Sequence, residues 1–267
     1  MSGMKYILIT GAYGGMGRAA VDMLAARGCG VFALDRRAAE DDRQNVIPIN
    51  ADVTDTESIR RAVEKVRGVT DSLFAVIHFA GIYMLDSLVE MSEADFDRIC
   101  RVNVYGVFNI NKAFMPFLGS GSRIIITTSE LAPLDPLPFT GIYAVTKGAL
   151  DKYAYSLRME LQLLGIDVSV IRAGAVKTDM LGASTAALDR FCERTSLYKY
   201  NSKRFHRIVD SVEAKCIPPQ KLAAKAVSVL ERKHPKFAYS INRNSLLLML
   251  NALPHCLQFR IIRLVLK

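Results

Sequence analysis

The sequence predicts an α/β fold: a doubly wound parallel sheet of about seven strands with helices on both faces. Short apolar runs alternate along the chain with amphipathic segments, which is typical of buried parallel strands joined by crossover helices. Of the 267 residues, 51% are apolar and 23% are charged, which permits a large core and excludes wholesale disorder. Because no change in composition marks a linker, we expect a single domain over residues 1–267.

Four strands are predicted in the first half of the chain. They occupy residues 6–10, 31–35, 46–50 and 74–77. One helix is predicted over residues 16–27, with Gly28 and Gly30 ending it. A second runs to about residue 67 and begins after Thr54, because Thr54-x-x-Glu57 resembles a capping box.

The second half continues the alternation. A helical region is predicted over residues 92–118, as one helix or two, followed by a strand of β-branched residues at 123–128. After a proline-rich loop, a helix is predicted over 141–164, with Gly165 ending it, and a sixth strand at 168–171. These strands and helices together give the predicted parallel sheet.

The net charge of +9 comes entirely from the last quarter of the chain. Residues 1–198 contain 21 Lys and Arg against 23 Asp and Glu, whereas residues 199–267 contain 14 against 3. No base-reading motif accompanies these charges, so nucleic acid is the least favoured partner. The five cysteines are dispersed without a C-x-x-C, which argues against a disulfide framework and a Cys-based metal site. No run has the roughly 18 apolar residues of a membrane span, and we expect a cytoplasmic protein.

A glycine-rich turn joins the first predicted strand to the first predicted helix. It reads Thr10-Gly11-Ala12-Tyr13-Gly14-Gly15-Met16-Gly17, and Asp35 ends the second strand 18 residues after Gly17. Glycines let the backbone N–H groups approach a pyrophosphate, and the helix N-terminus supplies positive partial charge. The alternative is a structural turn, but the strand–turn–helix context favours a dinucleotide site.

The spacing T-G-x-x-x-G-x-G in this position resembles the short-chain dehydrogenase/reductase family, whose fold is Rossmann-like. Tyr143-Ala144-Val145-Thr146-Lys147 is similar to the Y-x-x-x-K of that family. On a helix, residues four apart share a face, so the phenol and the ammonium point into one site. A cation beside a phenol favours the phenolate and lowers its pKa, as a general acid/base needs.

The resemblance covers residues of about 5–180 and implies further roles. It implies that Tyr143 exchanges the proton, Lys147 binds the nicotinamide ribose, Ser129 orients the substrate oxygen and Asn103 holds a relay water. It also implies that Asp52 binds the adenine and that Thr178 meets the nicotinamide carboxamide. The expected cofactor-binding residues are Gly11, Tyr13, Gly14, Gly15, Met16, Gly17, Asp35, Arg36, Asp52, Val53, Ala80, Gly81, Tyr143, Lys147 and Thr178.

Three positions depart from the family pattern. His78-Phe79-Ala80-Gly81 stands where N-N-A-G is usual, and we interpret His78 as a hydrogen-bonded strand-end histidine. Ala173 replaces the usual proline before Gly174. The interval from Ser129 to Tyr143 is one residue longer than is common, which leaves Thr128 as an alternative to Ser129, the residue we favour.

Asp35 indicates the cofactor. A carboxylate at this strand end accepts hydrogen bonds from the ribose hydroxyls and repels a 2′-phosphate, so NAD is expected over NADP. Arg36 and Arg37 follow directly and are suited to a phosphate, which keeps NADP as the less favoured alternative; their other interpretation is a pair of solvated loop charges.

We therefore expect an NAD-dependent oxidoreductase that interconverts an alcohol and a carbonyl. An NADP-dependent carbonyl reductase is one alternative, and a non-catalytic dinucleotide-sensing regulatory protein on the same fold is another. An intact set of Asn103, Ser129, Tyr143 and Lys147 argues against the sensor. The family resemblance also implies a homodimer or homotetramer.

Residues 179–215 follow the Thr178 motif, where the family places a variable substrate lid. Their apolar side chains suit a bulky hydrophobic alcohol or ketone, such as a steroid or a retinoid-like lipid, although core packing explains them equally well. The tail, residues 244–267, is apolar and basic. If residues 257–267 are helical, Leu257, Ile261, Leu264 and Val265 share one side, and Arg260, Arg263 and Lys267 lie apart from it. Peripheral membrane contact, packing on the domain, a subunit interface and attraction of an acidic apolar substrate all remain open.

Overall fold

Seven parallel strands form one sheet in the order β3-β2-β1-β4-β5-β6-β7. The structure is a computed structural model and describes residues 4–213 and 215–267. The strands are β1 (Tyr6–Thr10), β2 (Gly30–Asp35), β3 (Val46–Asn50), β4 (Ala75–His78), β5 (Arg123–Ser129), β6 (Asp167–Ala173) and β7 (Ala238–Ile241). The chain starts in the middle of the sheet, builds one half outward to β3, and returns to β4 beside β1. This reversal opens a crevice at the carboxyl ends of β1 and β4, where doubly wound folds bind their ligands.

Helices cover both faces of the sheet, as the sequence predicts. They are α1 (Gly15–Ala26), α2 (Thr56–Arg67), α3 (Glu93–Cys100), α4 (Gly106–Phe114), α5 (Gly141–Leu161), α6 (Asp179–Arg194), α7 (Lys199–Glu213), α8 (Pro219–Leu230), α9 (Ser245–Asn251) and α10 (His255–Leu266). One apolar core lies between the sheet and helices α1 and α8, and a second lies between the sheet and helices α2, α4 and α5. The inner strands are buried on both sides, which explains their continuous apolar runs.

The six strands predicted individually are confirmed, with ends that differ by at most two residues. The seventh, β7, was not located in the sequence because it is a short edge strand in which Tyr239 alone is buried, and it carries no apolar run. The region predicted over 92–118 contains α3 and α4, joined by a π-helical turn at Arg101–Tyr105. Gly165 ends the segment after α5, as predicted, with a φ of 73° that favours glycine.

The N-terminal cap of α2 differs from the prediction. The cap is Asp55, whose Oδ1 accepts a hydrogen bond from the Glu57 N–H at 3.0 Å. Thr54 instead turns to Asp52, and its Oγ1 donates to Asp52 Oδ1 at 2.7 Å. The capping box was therefore wrong by one residue, because Asp52 competes for the Thr54 hydroxyl and a carboxylate is available at the next position.

A third apolar cluster lies outside the sheet layers. It joins α6, α7 and α10 through buried side chains that include Leu188, Phe191, Phe205 and Leu266. The aromatic rings of Phe191 and Phe205 pack against Phe139, with centroids 4.8 and 5.3 Å apart. Core packing is therefore the correct interpretation for these two residues of the segment 179–215, while Met180 and Leu181 line a cavity described below.

Candidate active site

The glycine turn lies against the backbone that follows β4. Gly11 has a φ of 67°, and a Cβ at this position would lie 2.6 Å from the Ala80 nitrogen. A Cβ at Gly17 would collide with the carbonyl oxygen of Gly11. The N-cap of α1 is Gly14, and no side chain caps it, so the first N–H groups of the helix have no side-chain partner. This arrangement fits the pyrophosphate of a dinucleotide.

A cleft of about 720 Å³ runs along this turn. The predicted residues that line it are Gly11, Gly14, Gly15, Met16, Gly17, Asp35, Arg36, Asp52, Val53, Ala80, Gly81 and Thr178. Its volume is within the range of cofactor pockets. Tyr13 does not line the cleft; its N–H donates to Asp35 Oδ2 at 3.0 Å and its hydroxyl to the Ala39 carbonyl oxygen at 2.7 Å. Tyr13 therefore positions Asp35.

Asp35 ends β2 at the edge of this cleft. Its Oδ1 accepts the Arg37 N–H at 3.0 Å, so each carboxylate oxygen has one backbone partner and retains acceptor capacity. The backbone bonds hold the carboxylate at the cleft edge, as recognition of a ribose requires.

A second, more apolar cavity of about 190 Å³ adjoins the cleft and contains Ser129, Tyr143 and Lys147. Tyr143 and Lys147 lie one turn apart on α5, with Lys147 Nζ 5.6 Å from the centre of the Tyr143 ring. Lys147 is buried, and its ammonium donates to the Thr127 carbonyl oxygen at 3.1 Å. The Ser129 hydroxyl accepts the Leu131 N–H at 3.2 Å and lies close enough to Tyr143 to lower its pKa.

Burial controls the protonation of both groups. It raises the pKa of Tyr143 above its ordinary value, and the nearby Ser129 hydroxyl only partly offsets this effect. We expected Lys147 to lower the Tyr143 pKa, but in this structure the pKa is raised, because desolvation of the phenolate is the largest effect. Burial also lowers the pKa of Lys147 to about 8.

Asn103 lies in the π-helical turn between α3 and α4 and is fully buried. Its Oδ1 accepts the Ile82 N–H at 2.8 Å, and its Nδ2 donates to Thr146 Oγ1 at 3.1 Å. A Cβ at Gly81 would lie 3.2 Å from Asn103 Oδ1 and 3.7 Å from Lys147 Nζ. The two side chains therefore converge on Gly81, and π-helical turns often occur at functional sites.

The structure also distinguishes the two hydroxyls at the end of β5. Both Thr128 and Ser129 line the cavity, but Thr128 Oγ1 donates to Asp151 Oδ1 at 3.4 Å. The Ser129 hydroxyl contacts Tyr143 instead. Of these two hydroxyls, the one that faces Tyr143 is therefore that of Ser129.

His78 makes a buried hydrogen bond, as the sequence interpretation proposes. Its Nε2 lies 2.8 Å from Asn111 Oδ1, and Asn111 Nδ2 donates to the Tyr153 hydroxyl at 3.1 Å. Burial lowers the pKa of His78 to about 4. This chain of polar groups occupies the core below the site, and His78 does not line either cavity.

Several residues of the apolar cavity were missed by the sequence analysis. Glu130 directly follows Ser129, and Leu131 and Leu137 lie in the following loop. Asn244 and Leu247 come from the tail, for which the sequence left packing on the domain as one of several alternatives. The adjacency of Glu130 to Ser129 was a usable signal, whereas nothing local indicates that Leu247 folds back to the cavity.

No helix in residues 4–213 or 215–267 combines the length and apolar character needed to cross a membrane. Within the same ranges, no group of three or more His, Cys, Asp or Glu side chains is arranged to hold a metal ion.

The family model described as "short chain dehydrogenase" matches residues 5–189, which is more than half of the chain. The chain belongs to the short-chain dehydrogenase family. It is therefore an NAD(P)-dependent oxidoreductase, and the resemblance identified from its motifs is confirmed.

The chain is similar to several curated relatives. It is 27% identical over 234 residues to a 3-ketodihydrosphingosine reductase of Bacteroides thetaiotaomicron, covering 87% of this chain and 86% of the relative. It is 33% identical over 190 residues to estradiol 17-beta-dehydrogenase 2 of Mus musculus, covering 67% of this chain and 50% of the relative. It is 32% identical over 196 residues to an NADPH-dependent 1-acyldihydroxyacetone phosphate reductase of Schizosaccharomyces pombe, covering 70% of this chain and 66% of the relative.

Solved structures of this family share the fold. A short-chain dehydrogenase from Burkholderia cenocepacia, in complex with NADP, has a TM-score of 0.74 at 22% identity and covers 96% of this chain and 97% of its own. A 3-ketoacyl-(acyl-carrier-protein) reductase from Brucella melitensis, complexed with NADH, has a TM-score of 0.72 at 21% identity. The match covers 89% of this chain and 96% of the reductase. The doubly wound single-domain fold is confirmed by these similarities.

The buried His78 predicts acid-sensitive stability. Its folded-state pKa lies below the ordinary value of 6.5, so between about pH 4 and pH 6.5 the unfolded chain binds the additional proton. Stability contributed by neutral His78 is present above pH 6.5 and is lost as the pH falls. We expect a loss of roughly 2 kcal/mol in the free energy of unfolding between about pH 7.5 and pH 5, measured by urea denaturation.

The variant His78→Asn isolates this contribution, because asparagine does not titrate. It should show a correspondingly weaker pH dependence, and His255→Asn, at an exposed histidine, should behave like the unmodified protein. An unchanged pH dependence in His78→Asn would show that the buried imidazole is not responsible.

Proposed function

We propose that the protein is an NAD-dependent oxidoreductase that interconverts an alcohol, usually secondary, and a carbonyl on a bulky hydrophobic substrate. The observation that carries the proposal is the convergence of Ser129, Tyr143 and Lys147 in an apolar cavity that shares its wall with the glycine-turn cleft. Met16, Gly81 and Thr178 line both spaces, so a substrate in one directly adjoins a ligand in the other.

The proposed chemistry assigns one task to each side chain. When bound, the dinucleotide supplies or accepts the hydride at its nicotinamide ring. Tyr143 gives or takes the proton at the substrate oxygen, and Ser129 holds that oxygen by a hydrogen bond. The Lys147 ammonium stabilises negative charge on the Tyr143 oxygen and binds ribose, and Asn103 supports a relay water near Lys147. A non-catalytic sensor would not need all four of these side chains in one site.

The wall of the cavity favours an apolar substrate such as a steroid or a retinoid-like lipid. Leu131, Leu137 and Leu247 contribute aliphatic side chains, and Met180 and Val209 bring the segment 179–215 to the opening. This placement supports the proposed role of that segment as a substrate lid. The names of two relatives, an estradiol dehydrogenase and a ketodihydrosphingosine reductase, are consistent with a hydrophobic substrate.

The variant Tyr143→Phe tests the proposed acid/base. Removing the hydroxyl should lower kcat by roughly 10²- to 10⁴-fold with any alcohol the protein oxidises, measured as NADH absorbance. Tyr153→Phe is the matched control, because Tyr153 lies on the same helix and its hydroxyl contacts Asn111 in the core rather than the cavity. Similar turnover in Tyr143→Phe and in the unmodified protein would reject the role of Tyr143.

The choice of NAD over NADP rests on Asp35. Its carboxylate is fixed at the cleft edge by two backbone N–H groups, where it would accept ribose hydroxyls and repel a 2′-phosphate. Arg36 also lines the cleft and is suited to a phosphate, so an NADP-dependent carbonyl reductase remains the alternative. The names of the relatives do not support NAD over NADP, because one of them is named as NADPH-dependent.

Replacing Asp35 with asparagine should change the cofactor preference. Asp35→Asn keeps the shape of the side chain and removes its charge, so NADH should bind more weakly and NADPH more tightly. We expect the ratio of their Kd values to shift by roughly tenfold or more, measured by fluorescence titration. Asp42→Asn, at an exposed carboxylate of the next loop, should leave the ratio unchanged. Tighter binding of NADPH than of NADH by the unmodified protein would overturn the assignment.

The proposal extends to assembly and location. Exposed apolar side chains on α4 and α5, including Phe108, Tyr155 and Met159, support a homodimer or homotetramer. A cytoplasmic location rests on the dispersed free cysteines.

Helix α10 supports a peripheral membrane contact. Gln258, Ile262 and Leu266 face the body of the protein, and Asn201 Nδ2 donates to the Leu266 carbonyl oxygen at 2.7 Å. The four residues predicted to share the apolar side of the helix are exposed: Leu257 (42%), Ile261 (39%), Leu264 (79%) and Val265 (51%).

The charge around this helix fits an anionic lipid surface. Arg260, Arg263 and Lys267 flank its exposed apolar side chains, and residues 232–267 contain seven Lys and Arg and no Asp or Glu. A basic amphipathic helix with exposed aliphatic side chains binds at the interface of an anionic bilayer. We therefore propose that α10 docks on such a membrane.

Vesicle flotation tests the membrane contact. The protein should float with phosphatidylserine-containing vesicles, weakly with phosphatidylcholine alone, and less at high salt. Leu264→Glu with Val265→Glu should weaken binding by roughly tenfold or more. The matched control is Leu163→Glu with Leu164→Glu, another adjacent pair of exposed aliphatic side chains, about 100 residues before α10 in the sequence. Deleting the tail is unsuitable because Asn244 and Leu247 line the cavity.

Two results would contradict membrane docking. One is equal flotation of the unmodified protein and the α10 variant. The other is a change of molecular mass in the α10 variant, measured by analytical ultracentrifugation without lipid, which would assign this face to a contact between copies of the chain.

A further inference from the structure

Glu130 places a carboxyl group in the wall of the apolar cavity, one residue after Ser129. It directly follows Ser129, so its Cα lies about 3.8 Å from that of Ser129, and both residues line the cavity. Glu130 is 8% exposed. Among the described residues that line this cavity, it is the one acidic side chain, and Lys147 is the one basic side chain.

The two oxygens of this carboxyl group have different surroundings. Oε2 accepts the Asn244 N–H at 2.6 Å, which ties the end of β5 to the start of α9. Oε1 is directed towards Gly174, because a Cβ at that glycine would lie 3.1 Å from it. Gly174 also lines the cavity, and within residues 4–213 and 215–267 no donor is hydrogen-bonded to Oε1.

The structural tie to Asn244 does not explain the charge. A glutamine at this position would offer the same oxygen to the Asn244 N–H without placing a carboxylate among apolar side chains. Burial raises the pKa of Glu130, with partial compensation from the Asn244 N–H and the positive charge of Arg243. A buried carboxylate costs free energy unless a cation pairs with it, whereas a neutral hydroxyl is bound equally well by an uncharged side chain.

We propose that Glu130 binds a positively charged amino group of the substrate, close to the alcohol or carbonyl that Ser129 and Tyr143 hold. The proposal rests on the proposed function and narrows its substrate class to apolar amino alcohols and amino ketones. The ammonium donates to Oε1 while Oε2 keeps its bond to Asn244. The ammonium must lie within a few carbon atoms of the reacting carbon, because Ser129 and Glu130 are adjacent.

Binding measurements separate this proposal from turnover. The protein carries Tyr143→Phe, which suppresses the reaction, and is saturated with NAD⁺. Isothermal titration calorimetry then compares dodecan-3-ol, 2-aminododecan-3-ol and dodecane-2,3-diol. The amino alcohol should bind roughly tenfold to a hundredfold more tightly than the other two, as expected for a hydrogen bond to a charged group.

Adding Glu130→Gln should abolish this preference and leave the Kd of dodecan-3-ol nearly unchanged. Glutamine keeps an oxygen for the Asn244 N–H, so its thermal midpoint should match that of the Glu130 protein, while Glu130→Ala should lower it. Equal binding of the three alcohols, tightest binding of the diol, or a preference that survives Glu130→Gln would each overturn the proposal.

The proposed function is tested separately in the same system. Oxidation of dodecan-3-ol by the unmodified protein reports the alcohol–carbonyl chemistry without any amino group. A protein that oxidises neither dodecan-3-ol nor 2-aminododecan-3-ol but binds the amino alcohol preferentially would reject the chemistry and keep the role of Glu130. A protein that oxidises dodecan-3-ol but shows no preference for binding the amino alcohol would keep the chemistry and reject the role of Glu130.

Discussion

The site depends on how closely the carboxyl end of β1 approaches the chain that leaves β4. Gly11 and Ala80 come so near that a single Cβ on Gly11 would lie 2.6 Å from the Ala80 nitrogen. This contact closes the glycine turn, directs the N-terminus of α1 towards the cleft and places Gly81 beside Asn103 and Lys147. The dinucleotide cleft and the polar groups of the cavity therefore adjoin each other because two backbones meet without side chains between them.

Burial of polar groups in the cavity has a cost that the surrounding fold offsets. Lys147 donates a hydrogen bond to the end of β5, Ser129 accepts one from the Leu131 backbone, and Asn103 accepts one from the Ile82 backbone. These bonds hold the side chains in fixed positions, which favours chemistry that needs one orientation of the substrate oxygen. The low polarity that makes an unpaired Glu130 costly would also strengthen its pairing with an ammonium.

Much of this structure could be predicted from the sequence because the relevant signals are local. Buried parallel strands appear as apolar runs, and the glycine turn and Tyr143-x-x-x-Lys147 are short motifs, so the fold and the candidate residues followed. The missed features depend on contacts between distant segments. The return of Leu247 to the cavity, the packing of Phe191 and Phe205 on Phe139, and the competition of Asp52 for the Thr54 hydroxyl are set by tertiary structure. The pKa of Tyr143 likewise follows from its burial, which a spacing argument does not report.

The tail contributes both to the wall of the apolar cavity and to the exposed apolar and basic face of α10. Helix α9 supplies Leu247 to the cavity, and α10 exposes aliphatic side chains next to basic ones. The central claim remains hydride transfer at the carbon whose oxygen contacts Ser129 and Tyr143. Isotope transfer tests it most directly: dodecan-3-ol deuterated at the carbinol carbon is incubated with the protein and NAD⁺, and the reduced cofactor is analysed by mass spectrometry. The account predicts one deuterium in the reduced nicotinamide for each ketone formed. Ketone formation with an unlabelled cofactor, or no reduced cofactor at all, would contradict it.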